Sequence, residues 1–223
     1  MNVLRVAAVV AVMLVFSVTG RATDFFQSVS QIGLAASSSY FDSSRNRSGN
    51  ATLSNGNLVA HLNTSNIQTP EFTTPIFHSS NKWFFRVIWD NCSGTSDCEV
   101  GVATSSATSG DYLGIDANGI GIYGDGNYWI NGMVASAPPT GNIGTTFASG
   151  DTVDVVVDLS ALTIQIAVNG GPLSSAVSIA GLASSNVSPA VNLFTLGDQA
   201  TYTGQPSGSY SGATVWDGAV TKW

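Results

Sequence analysis

The residues of this chain that could do chemistry crowd into one stretch, "DANGIGIYGDGNYWING", Asp116 to Gly132. Within it, Gly119-Ile120-Gly121-Ile122-Tyr123-Gly124 satisfies G-x-G-x-x-G, the spacing of a loop that cradles the pyrophosphate of a dinucleotide. That chemistry needs the third glycine to open a helix, whose aligned N–H groups meet the phosphate, and an acid about twenty residues on for the ribose. Gly124 is followed instead by "DGNYWINGMVASAPP", whose Asp/Asn/Gly pairs and Pro-Pro leave no room for a helix. The stretch therefore reads as a strand, an Asp-Gly-Asn turn and a second strand, its glycines admitting a backbone or bulky side chain close to one face. Asp116-x-Asn118 and Asp125-x-Asn127 resemble the opening of a calcium loop, but the distal Glu is missing, so turn chemistry is the better account and no metal or cofactor is expected. Tyr123, Tyr128 and Trp129 flank the polar turn that holds Asp125 and Asn127. Ring faces beside Asp and Asn suit a sugar, with C–H groups on the ring and hydroxyls on the polar side chains. The same composition suits a protein-recognition loop, or rings that only cap the fold. Tyr123, Asp125, Asn127, Tyr128 and Trp129 are the candidate ligand-binding residues.

Hydrolytic chemistry finds little support. A glycoside hydrolase needs two carboxylates about 5 to 10 Å apart. Glu71 and Glu99, the only glutamates, do not share a strand. Asp154 and Asp158 project from one face of a strand but stand about 13 Å apart, and read as a solvated strand face. "GSYSG" misplaces its serines relative to G-x-S-x-G, and neither His61 nor His78 has a catalytic setting. Cys92 and Cys98, in "NCSGTSDC", have too few potential ligands around them for zinc; in an oxidising compartment they would close a small polar loop as a disulfide.

The elements that must position these residues are extended. Short runs rich in Val, Ile, Thr and aromatics recur about every ten residues between Gly, Asn, Ser and Pro, without helical periodicity. "ATLSNGNLVAHL" reads as strand, Asn-Gly turn, strand, and "KWFFRVIWD" as a strand whose Trp83 and Trp89 feed the core. In "GDTVDVVVDLSALTIQIAVNGG" Val153, Val155, Val157 and Leu159 share one face, Asp154 and Asp158 the other; Ile164, Ile166 and Val168 then alternate with Gln165 and Ala167. That is an antiparallel hairpin with one dry and one wet side. Many such strands without helices predict an all-β antiparallel sandwich or barrel.

With 223 residues, 43 % of them hydrophobic, the chain has material for one sizeable core. Only 9 % of residues are charged and the formal net charge is −7, which repels nucleic acid and anionic membranes alike. Residues 1–22 differ: "MNVLR", then an almost wholly apolar run from Val6 to Val18, then "TGRATD". This is the layout of a signal peptide, too short for a stable membrane span, with an apolar anchor helix as the alternative. Cleavage near Arg21 or Thr23 would remove at most Arg5 and Arg21 and no acid, leaving the mature chain acidic. Residues 23–50 form a Ser/Gln/Asn-rich lead-in, and 51–223 the predicted sandwich. N-x-[S/T] sequons at Asn46, Asn50, Asn63, Asn91 and Asn186 are no more than this composition yields by chance.

The succession "KWFFRVIWD", "EVGVAT", "YLGIDANGIGIYGDGNYWINGM", "FASGDTVDVVVDLSALTIQIAVNGGPL", "SPAVNLFTLGDQATYTGQPSGSY" resembles a SPRY domain of the form found in bacterial and bacteriophage tail or surface proteins. Its most specific parts are Tyr112-Leu113-Gly114, Gly119 to Gly126, Gly150-Asp151, Asn169-Gly170 and Ser188-Pro189-Ala190-Val191. Ala167-Val168 stands where the family usually has an aromatic pair, and Tyr202-Thr203-Gly204 where it has Asn-Phe-Gly. The resemblance implies a bent, concanavalin-like β-sandwich with no cofactor and no catalytic machinery, binding a protein or glycan through loops at one end. A secreted or extracytoplasmic protein is expected, with a homo-oligomer or a virion assembly as its own partner state. The alternatives are a virion-surface or phage decoration protein, with residues 1–22 packed in an assembly, and a glycoside-active enzyme on the same fold.

Overall fold

A computed structural model describes residue 41 and residues 51–56, 58–63, 82–107, 112–130, 140–182, 186–203, 210 and 213–215. The apolar residues 1–22, expected as signal or helical anchor, and all of the lead-in except Phe41 lie outside the described residues. The strands are β1 (Ala51–Ser54), β2 (Val59–Leu62), β3 (Lys82–Asn91), β4 (Cys98–Thr104), β5 (Gly119–Tyr123), β6 (Asn127–Ile130), β7 (Gly141–Asn142), β8 (Thr152–Asp158), β9 (Thr163–Val168), β10 (Val177–Ser178), β11 (Val187–Leu193), β12 (Gln199–Tyr202) and β13 (Ala213–Val215). A single 3-10 turn, Ala180–Leu182, is the only helical element among the described residues, and none of these residues form a helix long and apolar enough to cross a membrane.

Two sheets result. The larger runs β1-β2-β12-β3-β8-β9-β10, with β13 added parallel to the start of β3; the smaller runs β11-β4-β5-β6-β7. All other pairings are antiparallel. The turn between β1 and β2 has Asn55 at φ 52° and Gly56 at φ 67°, two successive left-handed residues that match the twist of a hairpin, as the Asn-Gly pair predicts. The predicted β8–β9 hairpin forms, pairing Val153 with Val168, Val155 with Ile166 and Val157 with Ile164.

Alternation sends one set of side chains from each sheet into a shared core. Trp83, Phe85, Val87 and Trp89 of β3 enter from the larger sheet; Val100, Val102, Ile120 and Ile122 enter from the smaller. Trp89 stacks on Phe147 with ring centroids 6.1 Å apart, and Phe41 is fully buried in the same core.

The outer face of the larger sheet is drier than its sequence suggests. Asp154, expected to be solvated beside Asp158, is fully buried. Its carboxylate takes both arms of the Arg86 guanidinium opposite it on β3, Nε at 2.6 Å and Nη2 at 2.8 Å, and accepts the Tyr210 hydroxyl at 2.7 Å. The Tyr210 ring meets Phe84 edge-on at 5.5 Å, so Tyr210 lays an aromatic lid on this ion pair. Asp158 does remain near solvent, where Lys82 lies 3.1 Å from it. A charge buried this deeply tolerates no loss of its partner. Arg86→Met should lower the unfolding free energy measured in urea by about 3–5 kcal/mol, and adding Asp154→Leu should restore much of that loss. A single variant as stable as wild type would show that the pair carries no such cost.

Candidate functional site

The site begins with an absence of side chains. β4 and β5 pair Gly101 with Gly121 on the outer face of the smaller sheet, which leaves a bare strip of backbone there. Glu99, facing the same way, lies across it: a Cβ on Gly121 would come within 1.6 Å of Glu99 Oε1 and 2.7 Å of Leu113 Cβ. The segment Tyr112-Leu113-Gly114 then crosses above, and Gly114 turns at φ +83° so close to β6 that a Cβ would meet the Trp129 carbonyl oxygen at 2.2 Å. Gly124 is crowded in turn by the Phe147 and Thr95 carbonyl oxygens at 2.5 and 2.6 Å from where its Cβ would be. The G-x-G-x-x-G glycines are thus there for close approach of protein to protein; Gly124 opens a turn and no helix follows it.

Glu99 is 1 % exposed. Its Oε2 accepts the Leu113 N–H at 3.1 Å and the Asn192 side-chain amide at 3.0 Å, while Oε1 and Asn192 Oδ1 have no hydrogen-bond partner. Burial pushes its carboxyl up to about 8, against the pull of those two donors, so the group is mostly neutral at pH 7. A neutral acid can donate from Oε1, and Asn192, already bonded to Oε2, carries an unclaimed acceptor.

Beside this cover lies a pocket of about 250 Å³, lined by Ser96, Asp97, Tyr112, Tyr123, Trp129 and Phe194. The rings lean on one another in a chain: Trp129 on Tyr123 at 4.5 Å, Tyr123 on Tyr112 at 5.8 Å, Tyr112 on Phe194 at 5.6 Å. Two loops form its rim. One runs from Cys92 to Cys98, is closed by the disulfide between them, and presents Ser96 and Asp97. It is tied to the β5–β6 turn by the Asp125 N–H to the Thr95 carbonyl at 2.9 Å. The other is the 194–198 turn, held by Asp198, a fully buried carboxylate that accepts the N–H groups of Phe194 at 3.1 Å and Thr195 at 2.7 Å. The same carboxylate accepts the Ser93 N–H at 2.9 Å, and Thr195 donates its hydroxyl to Asp97 Oδ2 at 3.1 Å, so both rims are fixed to each other.

The five candidate residues do not converge. Tyr123 and Trp129 are in the pocket, but Tyr128 points to the opposite face of β6 and packs against the core. Asp125 and Asn127 spend their polar atoms locally: Asp125 accepts the Asn127 N–H at 2.9 Å and side-chain amide at 2.8 Å, and Asn127 Oδ1 accepts from Asn142 at 3.0 Å. Asp116 likewise accepts the Asn118 N–H at 2.8 Å, which is turn chemistry. Among the described residues no group of three or more His, Cys, Asp or Glu could hold a metal ion. Tyr112, Phe194, Asp97, Asp198 and Glu99 were not singled out as site residues by the sequence, although Tyr112-Leu113-Gly114 and "NLFTLGD" lie within the stretches that resemble the family.

The comparisons agree with the fold. The SPRY domain family model matches residues 82–204, more than half of the chain, and the chain belongs to that family. Among solved structures, the SPRY domain of human HERC1 superposes with a TM-score of 0.59 at 16 % identity, covering 73 % of this chain and 96 % of that one. The PSpry domain of TRIM65 gives 0.56 at 15 % identity, covering 75 % and 93 %. No curated protein matches the chain. SPRY domains are in general non-catalytic interaction modules that bind proteins.

Glu99 gives the cover a pH dependence whose sign is fixed. Below about pH 4.5 the carboxyl is neutral whether the chain is folded or not; from there to about pH 8 the unfolded chain loses the proton and the folded chain keeps it, so stability falls as pH rises and levels off above. Glu99→Gln lacks this slope. Urea unfolding from about pH 5 to about pH 9 should show the variant gaining on wild type by on the order of a few kcal/mol. Parallel curves would mean that the folded protein holds Glu99 ionised.

Proposed function

We propose that this chain is a non-catalytic recognition module that binds a protein partner through the Tyr112–Tyr123–Trp129–Phe194 pocket. The carrying observation is that four rings from separate segments open onto a surface whose rims are locked by a disulfide and by buried Asp198. Preorganised aromatic anchors of this kind lose little entropy on binding and are where interface energy concentrates. At about 250 Å³ the pocket falls below the size that encloses a drug-sized ligand, so it suits one side chain of a larger partner. Leu196, 56 % exposed at the tip of the 194–198 turn, adds apolar contact area next to Phe194 in sequence.

Catalysis fits less well. Glu99 has the raised pKa of a general acid, but it is sealed under Leu113 and does not line the pocket, so it cannot reach a glycosidic oxygen. A glycan ligand is the second reading, favoured by Trp129 and Tyr123 beside polar Ser96 and Asp97. The module acts outside the cytoplasm in this reading, exported or on a virion surface; the leader-like residues 1–22 and the Cys92–Cys98 disulfide support that setting.

Panning a displayed random-peptide library against the protein should enrich peptides whose affinity drops at least about tenfold on Phe194→Ala, while a glycan array gives no hit that depends on Trp129. Peptide binding indifferent to Phe194, or glycan binding abolished by Trp129→Ala, would overturn the proposal. N-terminal sequencing of the exported protein should find a start near Arg21 or Thr23; an intact Met1 would contradict cleavage.

A further inference from the structure

We infer that the pocket is a cage for an alkylammonium group, the end of a lysine side chain presented by the protein partner; the inference rests on the recognition reading above and names its ligand chemistry. Among the described residues that line it, four are aromatic, one is an acid, and none is Lys, Arg or His. The rings are not stacked flat on each other: successive planes meet at 59°, 45° and 36°, so together they make a bent aromatic lining for the pocket. Walls of π faces attract a cation through the ring quadrupole and have no comparable preference for an anion or a neutral polar group.

Asp97 supplies the counter-charge. It lines the pocket from the disulfide-closed loop, with Oδ2 held by the Thr195 hydroxyl, so its carboxylate is fixed in place before any ligand arrives. An ammonium that enters the pocket can meet this carboxylate while its methylenes lie on ring surface. The volume of about 250 Å³ fits one such chain. The charge of the whole molecule acts in the same direction: fourteen Asp and Glu against seven Lys and Arg give a formal −7, which draws cationic partners and slows anionic ones. Glu99, which does not line the pocket and is mostly neutral at pH 7, adds little charge there. Selectivity for a cation therefore falls to Asp97 and the rings.

The full chain would be titrated with n-butylammonium, with n-butanol as the uncharged control, while following the indole signal of Trp129 by NMR. Peptides enriched by panning would be remade with norleucine in place of each lysine. The expected results are saturable binding of n-butylammonium that perturbs Trp129, affinity at least about tenfold weaker for n-butanol, and a similar loss for the norleucine peptide. Asp97→Asn, close in shape and still able to accept from Thr195, should weaken the ammonium several-fold and leave the alcohol unchanged; Phe194→Leu serves if Trp129 variants fold poorly. Peptides that bind through the pocket equally well with norleucine would overturn the cation cage and leave protein recognition intact. Binding of n-butylammonium without any peptide ligand would do the reverse, marking a site for small free ammonium compounds. Failure of the ammonium to bind, or binding unaffected by Asp97→Asn, sinks the inference.

Discussion

Burial of the Glu99 carboxyl on the outer face of the smaller sheet is the constraint on which the cover of that sheet and the pocket beside it depend. A side chain can lie flat on a sheet only where its neighbours have none, and the Gly101–Gly121 pair provides that gap. Once there, Glu99 offers an oxygen to the Leu113 N–H and to Asn192, which draws the Tyr112-Leu113-Gly114 crossing down onto β5 and β6. Tyr112 then stands beside Tyr123 and Phe194, and the pocket has its walls. An acid kept neutral by burial suits this role, because it holds donors without the desolvation cost of a full charge.

The two outer faces of the sandwich solve the same problem differently. A sheet in a two-layer fold normally leaves its outer face to water. Here the larger sheet covers its centre with the Arg86–Asp154 pair under Tyr210, a charged arrangement that fixes partners by geometry and would be costly to open. The smaller sheet is covered by a loop held through a neutral carboxyl and backbone approach, with a pocket at its margin. The cover of the second face comes from a loop with rings at its edge, whereas the first face is closed by a strand-to-strand ion pair.

Much of the fold was legible in the residues. The Val153-to-Val168 alternation specified a hairpin and its core face, because period two admits no other burial. Asn55-Gly56 specified a turn, since two left-handed residues in succession cost least with that pair. Asp154 misled for a physical reason: alternation tells which face a residue takes, but not whether another segment will cover that face. Tyr210, 56 positions away, decides it. The candidate site was half legible. Clustering in sequence gathered Tyr123 and Trp129, which line one pocket, together with Tyr128, which the pleat sends to the opposite face, and Asp125 and Asn127, whose polar atoms close their own turn.

Strand positions, turn chemistry and the proximity of Cys92 to Cys98 were determined by the sequence alone, because each follows from interactions between residues close along the chain. The depth of Asp154, the neutrality of Glu99 and the meeting of Asp97, Tyr112, Tyr123, Trp129 and Phe194 were decided only in the tertiary structure. Those features depend on which distant segment displaces water from a given spot, and no local period encodes that.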